Sequence, residues 1–200
     1  IEKTYEISDG VIFQSEWSKK LVEAHFGKAD NYAVIHNGID YDIIDQVEAA
    51  SGFDDVDKVW CCASSWFYED GRQRYIKRLG ENIRYFLEHS GENDVLCVAG
   101  DINDYDDIVD ERIFCFGNLD TWRLMSLYKR ADYFIHLGKF DNCPNVVIDA
   151  RAFGCQIICS SLGGTQEIAG PDAIVIEEDE WDFVPFDYNV ADTLDFTRKK

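Results

Sequence analysis

Residues 131–167, ADYFIHLGKFDNCPNVVIDARAFGCQIICSSLGGTQE, decide the fold of this chain. Residues 133–137 and 155–159 are short apolar runs, which predict two buried strands. Between them lies a polar loop, followed by a predicted helix that starts at Pro144, a favoured first helical residue, and ends at Gly154. This order of elements is a βαβ unit. Its polar loops follow the carboxyl ends of the strands, where open α/β sheets bind their ligands.

Two carboxylates, Asp141 and Asp149, mark the corner between this loop and the helix. Asp149 lies one turn beyond Asn145 on the same helix face. The free N–H groups at the start of the helix suit a phosphate, whereas carboxylates would repel one. Carboxylates instead accept hydrogen bonds from hydroxyls, as on a ribose or a hexose. The structural alternative is that Asp141 caps the helix and Asp149 is a solvated helix residue.

Residues 141–167 resemble the core motif of the retaining nucleotide-sugar glycosyltransferases related to sucrose and sucrose-phosphate synthases (GT4), which have the two-domain GT-B fold. The usual motif there is Glu-x7-Glu, then Ala-x-Ala-x-Gly, a strand and Gly-Gly-x-x-Glu. In this chain the two glutamates are replaced by Asp141 and Asp149, while Gly154 and the Gly-Gly-x-x-Glu segment are kept. The glycine pair permits close approach of the backbone to a ligand. The resemblance covers nearly the whole chain.

The resemblance implies transfer of a hexosyl group from a nucleoside diphosphate sugar with retention, without a bound metal or other cofactor. Asp141 and Lys77 would be the catalytic residues, with Asp141 holding hydroxyls of the transferred sugar. Asp149 would hold the ribose. The residues 116–119 would border the nucleotide base, mostly through backbone atoms. Further donor contacts are expected from Asn142, Cys143, Asn145, Gly163, Gly164, Glu167 and Gly117.

The loop FYEDGRQRYIKRL, residues 67–79, leads from a buried strand into a helix predicted over residues 73–89. In the family, an Arg and a Lys of this loop neutralise the donor diphosphate. Four cations are candidates for that role: Arg72, Arg74, Lys77 and Arg78. Lys77, followed by Arg78 and Leu79, matches the family lysine best. Trp66 stands about where the arginine is expected, and Arg72 or Arg74 would substitute for that arginine. The alternative is that these cations balance nearby acids on a solvated helix face.

Composition limits the function classes that the chain can serve. With 200 residues and 46% hydrophobic content, it can bury a substantial single core. A net charge of −20 argues against nucleic acid as a partner, because a phosphate backbone needs Lys and Arg. It does not argue against one nucleotide, for which a few local donors suffice. No apolar run approaches the roughly 20 residues of a membrane span.

The seven cysteines are expected to be reduced and structural. Six lie in apolar strand runs, where a free cysteine behaves as a small buried hydrophobe: Cys61, Cys62, Cys97, Cys115, Cys155 and Cys159. The pair Cys61-Cys62 should point to opposite faces of a strand. Cys143 lies in the loop beside the expected phosphate site and is interpreted as a contact residue. Reduced thiols predict a cytoplasmic protein.

The chain starts at Ile1 without a methionine, and we expect a piece of a longer protein. By the resemblance, residues 1–30 would be the remnant of an N-terminal, acceptor-side domain, and residues 31–200 the Rossmann-like domain that binds the nucleotide sugar. The missing domain would hold a sugar or lipid-linked acceptor and make any peripheral membrane contact. The isolated chain should therefore be inactive.

The sequence predicts an α/β fold with a mostly parallel sheet between helices. A dinucleotide-dependent oxidoreductase would share that sheet, but no G-x-G-x-x-G follows a predicted strand. A non-catalytic sugar-nucleotide-binding module or a decayed transferase is the remaining alternative, because the two aspartates and Trp66 depart from the family pattern. His36 and His136 end predicted strands and could face the cleft, although a structural role is the more common one for such histidines.

Overall fold

The computed structural model describes residues 2–66, 76–102, 110–179 and 183. The strands are β1 (Val11–Phe13), β2 (Tyr32–Val34), β3 (Val59–Ala63), β4 (Val95–Ala99), β5 (Ile113–Cys115), β6 (Tyr133–His136), β7 (Gln156–Ser160) and β8 (Ile174–Ile176). The α-helices are α1 (Glu2–Glu6), α2 (Glu16–Phe26), α3 (Leu79–His89), α4 (Thr121–Arg130), α5 (Asn145–Ala152) and α6 (Thr165–Ala169), and a 3₁₀ helix covers Tyr41–Gln46.

The main sheet, as far as the described residues go, has six parallel strands in the order β5-β4-β3-β6-β7-β8. The chain moves outward from β3 to β5, returns to the centre at β6 and moves outward again to β8. The order therefore reverses between β3 and β6, and the carboxyl ends of these two strands flank the crevice where such sheets bind ligands. The predicted α/β class and parallel sheet are confirmed.

Both faces of the sheet are covered, which explains the continuous apolar runs in its central strands. Cys61 and Cys62 are fully buried on opposite faces, one packed with α4 and α5 and the other with α3. Five of the six cysteines that were predicted to lie in strands are buried, but Cys115 is exposed, and Cys155 lies just before β7. Cys115 lies on β5, an edge strand of three residues, so one side of it lacks the cover that the central strands have.

A second, smaller sheet consists of β1 and β2, which pair in parallel from Val11 with Tyr32 to Phe13 with Val34. Ser15 caps α2 with its side chain, and Ser18 completes a capping box. The small sheet includes residues 32–34, beyond the predicted boundary at residue 30. That boundary, and the assignment of residues 1–30 to another domain, stay predictions.

Two predicted helices differ from the structure near their first turns, although the predicted start at residue 73 lies outside the described residues. The helix predicted over residues 73–89 is interrupted at Arg78, which has φ 56° and ψ 48°, and α3 begins at Leu79. The buried Asn82 side chain donates to the carbonyl oxygens of Arg78 at 2.7 Å and Lys77 at 3.2 Å, which stabilises this turn. Pro144 is the N-cap of α5 rather than its first helical residue.

Candidate active site

Lys77 and Asp141 meet at the crevice between β3 and β6, although 64 residues separate them in sequence. Lys77 lies just before α3, and Asp141 lies in the loop that follows β6. Lys77 Nζ is 2.7 Å from Asp141 Oδ1 and 2.9 Å from Oδ2. The two residues predicted to be catalytic are therefore brought together as an ion pair, and their side chains are 17% and 18% exposed.

The Asp141 carboxylate has a second partner, His136 at the end of β6. His136 Nε2 is 2.7 Å from Asp141 Oδ2, and the imidazole is 2% exposed. Burial raises the pKa of Asp141, but hydrogen bonding and charge from His136, followed by Lys77, outweigh burial and lower this pKa to about 2. Asp141 is thus ionised at neutral pH and acts only as a hydrogen-bond acceptor. It does not cap α5.

Asp149 lies in the second turn of α5 and is partly buried. Burial raises the pKa of its carboxyl group. Its carboxylate forms no hydrogen bond or ion pair with any other residue that the structure describes. Partial burial without a partner among the described residues leaves these oxygens available to a ligand that donates hydrogen bonds, such as a vicinal diol.

The start of α5 is held by Asn37, which follows β2. Asn37 Nδ2 donates to Asn145 Oδ1 at 2.7 Å and to the carbonyl oxygen of Cys143 at 3.3 Å. The thiol of Cys143 is buried, and burial raises its pKa, so it is protonated. Asn142 is exposed beside it. These contacts fix the loop from which the first N–H groups of α5 project.

Gly163 and Gly164 lie against the protein's own loop. A Cβ atom on Gly163 would be 2.9 Å from the carbonyl oxygen of Asp141, and one on Gly164 would collide with the carbonyl oxygen of Asn142. The Gly164 N–H donates to the Asp141 carbonyl oxygen at 2.7 Å. The glycine pair therefore supports the loop that carries Asp141. Its predicted contact with a ligand stays a prediction.

Glu167, the last residue of the Gly-Gly-x-x-Glu segment, caps a different helix. Its Oε2 accepts from the N–H of Glu16 at 2.7 Å, and its Oε1 accepts from the N–H of Trp17 at 2.8 Å. His36 Nε2 lies 3.4 Å from Oε2. The carboxylate thus satisfies two free donors at the start of α2 and ties the small sheet to the main one.

We expect Glu167→Ala to lower the free energy of unfolding by about 1 kcal/mol, because it removes an acceptor from the first turn of α2. Urea unfolding of the chain measures this effect. The matched control is Gln166→Ala at the exposed neighbouring position. Equal stability changes in the two variants would show that the cap does not contribute.

The other predicted cations divide into two groups. Arg72 and Arg74 lie outside the described residues. Arg78 is 5% exposed, and its Nη1 donates to the carbonyl oxygen of Leu137 at 3.0 Å and to Glu178 Oε1 at 2.6 Å. The Arg78 guanidinium is therefore engaged by protein groups, whereas Lys77 stands at the crevice.

Glu178 is an anchor for the cations near the candidate site, and the sequence analysis does not identify it. It accepts from Arg78 and from Ser160 Oγ at 2.7 Å, and Lys139 Nζ lies 3.3 Å from its Oε2. Burial raises its pKa, but the bonds from Ser160 and Arg78 lower it further than burial raises it. No local pattern marks this role, because the partners come from three distant segments.

Two further predicted positions, Gly117 and Trp66, differ in their access to a ligand. Gly117, after β5, has φ 62° and open space around its α-carbon, so its backbone is accessible. Trp66 is 2% exposed, and its Nε1 donates to the carbonyl oxygen of Ala99 at 2.7 Å. Trp66 therefore belongs to the core and does not replace the family arginine.

Within the described ranges, no cluster of three or more His, Cys, Asp or Glu side chains has an arrangement that could hold a metal ion. None of the helices in these ranges is both long and apolar enough to cross a bilayer.

Comparison with known proteins gives a consistent result. Residues 57–184 match the family described as glycosyl transferases group 1. An uncharacterized glycosyltransferase of Methanocaldococcus jannaschii, MJ1607, is 24% identical over 180 residues, which are 82% of this chain and 45% of that protein.

Solved structures share the fold at low sequence identity. Sucrose-phosphate synthase from Thermosynechococcus elongatus aligns with a TM-score of 0.65 at 17% identity, covering 96% of this chain and 49% of that one. Anabaena Alr3699/HepE in complex with UDP-glucose aligns with a TM-score of 0.68 at 16% identity, covering 95% and 55%. The sheet matches the C-terminal, Rossmann-like half of GT-B glycosyltransferases. The chain spans about half the length of these relatives.

Proposed function

Because this chain belongs to the glycosyl transferases group 1 family, we propose that it binds a nucleoside diphosphate sugar and takes part in transfer of the hexosyl group with retention. The observation that carries this proposal is the Lys77–Asp141 pair at the reversal of strand order. The pair places a cation and an ionised acceptor beside the start of α5. Anabaena HepE, which has this fold, is described in complex with UDP and with UDP-glucose.

Each group in the site has a role suited to one part of the donor. Lys77 and the first N–H groups of α5 contact the diphosphate. A lysine ammonium has three donors, so Lys77 can contact a phosphate oxygen while keeping one bond to Asp141. Asp141 accepts from hydroxyls of the transferred sugar, and Asp149 accepts from the ribose. Arg72 and Arg74 remain candidates for further diphosphate contacts.

Departure of the nucleoside diphosphate is the step that the site must assist. Negative charge develops on the leaving oxygen, and a fixed cation with oriented N–H groups stabilises it without moving during the reaction. In this proposal these groups replace a bound Mg²⁺. Asp141 holds the sugar with its anomeric carbon toward the acceptor, and such positioning lowers the barrier to transfer.

The acceptor is proposed to bind to a second domain, as a sugar or a lipid-linked sugar, in a cytoplasmic enzyme whose membrane contact is made by that domain. Glu167 and Asn37 connect the small sheet and α2 to the loops of the donor site. This chain alone then binds donor without turning it over. Multiple turnovers by these 200 residues would contradict this division of roles.

A binding module without catalysis is the second candidate. Asp141 and Asp149 are each one methylene shorter than the family glutamates, and Trp66 is committed to the core. These features allow donor binding while weakening the contacts that assist transfer. Glycosyl transfer by a protein that carries both domains would reject this candidate.

Saturation-transfer NMR of this chain with UDP-glucose, GDP-glucose and ADP-glucose tests the proposed function. We expect one of the three to show transfer to both its ribose and its hexose protons. Lys77→Met removes the cation while keeping an unbranched side chain, and it should lower the affinity for that nucleotide sugar. Absence of binding by all three, with α/β circular dichroism intact, would overturn the proposal.

Donor affinity should be unchanged by EDTA, because the diphosphate is neutralised by side-chain and backbone donors in this proposal. Isothermal titration calorimetry before and after chelation measures the effect, with the binding donor from the NMR experiment as ligand. An affinity that falls on chelation and returns with Mn²⁺ would show that a metal ion is required.

A further inference from the structure

His136 stands in a position that the donor contacts proposed above do not use. It is the last residue of β6, its imidazole is 2% exposed, and its Nε2 lies 2.7 Å from Asp141 Oδ2. An ionised carboxylate can only accept, so the imidazole donates this bond from Nε2. The imidazole and the Lys77 ammonium thus hold Asp141 from two directions.

Gly138 gives independent support that this bond is built into the fold. A Cβ atom there would be 3.0 Å from His136 Nε2 and 3.2 Å from Asp141 Oδ2. Any larger residue would press on the two atoms that share the bond. The chain therefore passes directly over the His136–Asp141 contact, and the missing side chain allows the contact to be short and buried.

Asp141 lies in an irregular loop, so contacts of its own side chain must define the orientation of its carboxylate. Without His136, the carboxylate would be held by Lys77, whose side chain is a flexible four-carbon stem. The ammonium of Lys77 is also the proposed diphosphate ligand. When Lys77 contacts a phosphate and keeps one bond to Asp141, a second donor is needed to fix the orientation of the carboxylate. Among the described residues, the side-chain donors bonded to this carboxylate are Lys77 Nζ and His136 Nε2.

We propose that His136 is a positioning residue, which orients the Asp141 carboxylate toward the hydroxyls of the transferred sugar. This inference rests on the proposed function and deepens it. His136 does not touch the donor in this account. It acts through Asp141, and it keeps Asp141 oriented while Lys77 contacts the diphosphate.

Two variants distinguish the effect of losing the hydrogen bond from the effect of losing the ring. His136→Phe keeps a flat ring but removes the donor, whereas His136→Gln places an amide N–H near the position of Nε2. We expect His136→Phe to lower the affinity for UDP-glucose about tenfold and to leave the affinity for UDP unchanged. Losing a hydrogen bond to a charged group has about this effect. His136→Gln should restore most of the UDP-glucose affinity. Calorimetry with both ligands measures this difference.

Titration of Asp141 gives a readout that a merely structural role would not move. Carbon-13 NMR of the Asp141 carboxyl group should show its pKa rising in His136→Phe, because the charged form loses a donor, and staying low in His136→Gln. Gly138→Ala perturbs the same bond without changing either partner. It should raise the Asp141 pKa and weaken UDP-glucose in the same direction as His136→Phe, so the test survives poor folding of one variant.

The outcomes distinguish the two proposals. Equal weakening of UDP and UDP-glucose by His136→Phe, or an unchanged Asp141 pKa, would overturn the positioning role while leaving donor binding intact. If the wild-type chain binds neither UDP nor UDP-glucose, the proposed function fails for this donor and the sugar-positioning role fails with it. The Asp141 titration then still reports whether the hydrogen bond exists.

Discussion

Asp149→Ala is expected to lower the affinity for the free nucleoside diphosphate and for the nucleotide sugar alike, by roughly ten- to over a hundredfold. The Asp149 carboxylate is partly buried and has no partner among the described residues, so a ribose diol would meet an acceptor already in place. Hydrogen bonds to a charged acceptor contribute about 1.5–3 kcal/mol, which corresponds to this range of affinity. Both ligands contain the ribose, and both therefore lose the same contact.

Asp141→Ala should affect the two ligands differently. If Asp141 accepts from hexose hydroxyls, its loss lowers the affinity for the nucleotide sugar and leaves the affinity for the nucleoside diphosphate unchanged. Removing Asp141 also frees Lys77 from its ion pair, and this can only favour the diphosphate. In a protein with both domains, kcat should fall as well, because positioning of the sugar matters most at the transition state. Equal effects on both ligands would remove Asp141 from the sugar site.

A stability control is needed for the Asp141 variants, and Asp141→Asn supplies it with the same shape. The folded-state pKa of Asp141 is about 2, below its ordinary value of 3.8, so its charge stabilises the fold at neutral pH. This stabilisation, roughly 2 kcal/mol, is present above about pH 4 and is lost as the pH falls through about 2. The stability gap between wild type and Asp141→Asn should therefore close over that interval. Affinity is compared at pH 7, where both proteins remain folded.

Much of the sheet was predictable, because the central strands carry patterns that only a buried parallel sheet requires. Residues 59–63 and 95–99 are continuous apolar runs, and in the structure every residue of β3 and β4 is buried. Ser15 and Asp120 cap α2 and α4 through bonds to residues three positions away, so capping of this kind depends on local sequence alone. Edge position could not be predicted from such patterns, and Cys115 was wrongly expected to be buried.

The contacts of the candidate site were less predictable because they join distant segments. Lys77 and Asp141 were both chosen from the sequence, but separately, and nothing local indicates that they pair. Glu167 caps a helix whose first residues lie about 150 positions earlier. Arg78 adopts a left-handed backbone conformation that its residue type disfavours, and its buried bonds to Leu137 and Glu178 accompany this conformation.

The glycine pair has a packing role within the protein itself. Sequence reasoning assigned Gly163 and Gly164 to close approach of a ligand. In the structure their close neighbours are the backbone of the Asp141 loop and the Ser15 hydroxyl at the start of α2. The pair thus joins three segments: the loop after β7, the loop after β6 and the capped start of α2. A substitution there tests this junction directly.

Gly164→Ala is expected to lower the free energy of unfolding by about 3 kcal/mol. A Cβ atom on Gly164 would collide with the carbonyl oxygen of Asn142 and lie 2.5 Å from Ser15 Oγ and 2.9 Å from the carbonyl carbon of Asn142. Overpacking in a well-packed interior typically costs about 1–3 kcal/mol, and the upper end applies here because backbone atoms must move. Urea unfolding of the variant and wild type measures the change.

Two control variants isolate the collision from other effects of replacing glycine. Gly38→Ala is in open space and has no positive φ, so it should be near neutral. Gly154→Ala has φ 98° with open space around it, and it should cost about 1–2 kcal/mol through backbone strain alone. Gly164→Ala has an ordinary φ of −84°, so a loss larger than that of Gly154→Ala must come from the collision. The Gly164 N–H also donates to the Asp141 carbonyl oxygen, so displacing this loop should lower the affinity of folded Gly164→Ala protein for UDP-glucose. A Gly164→Ala protein as stable as Gly38→Ala would show that the three segments are not packed as the structure describes.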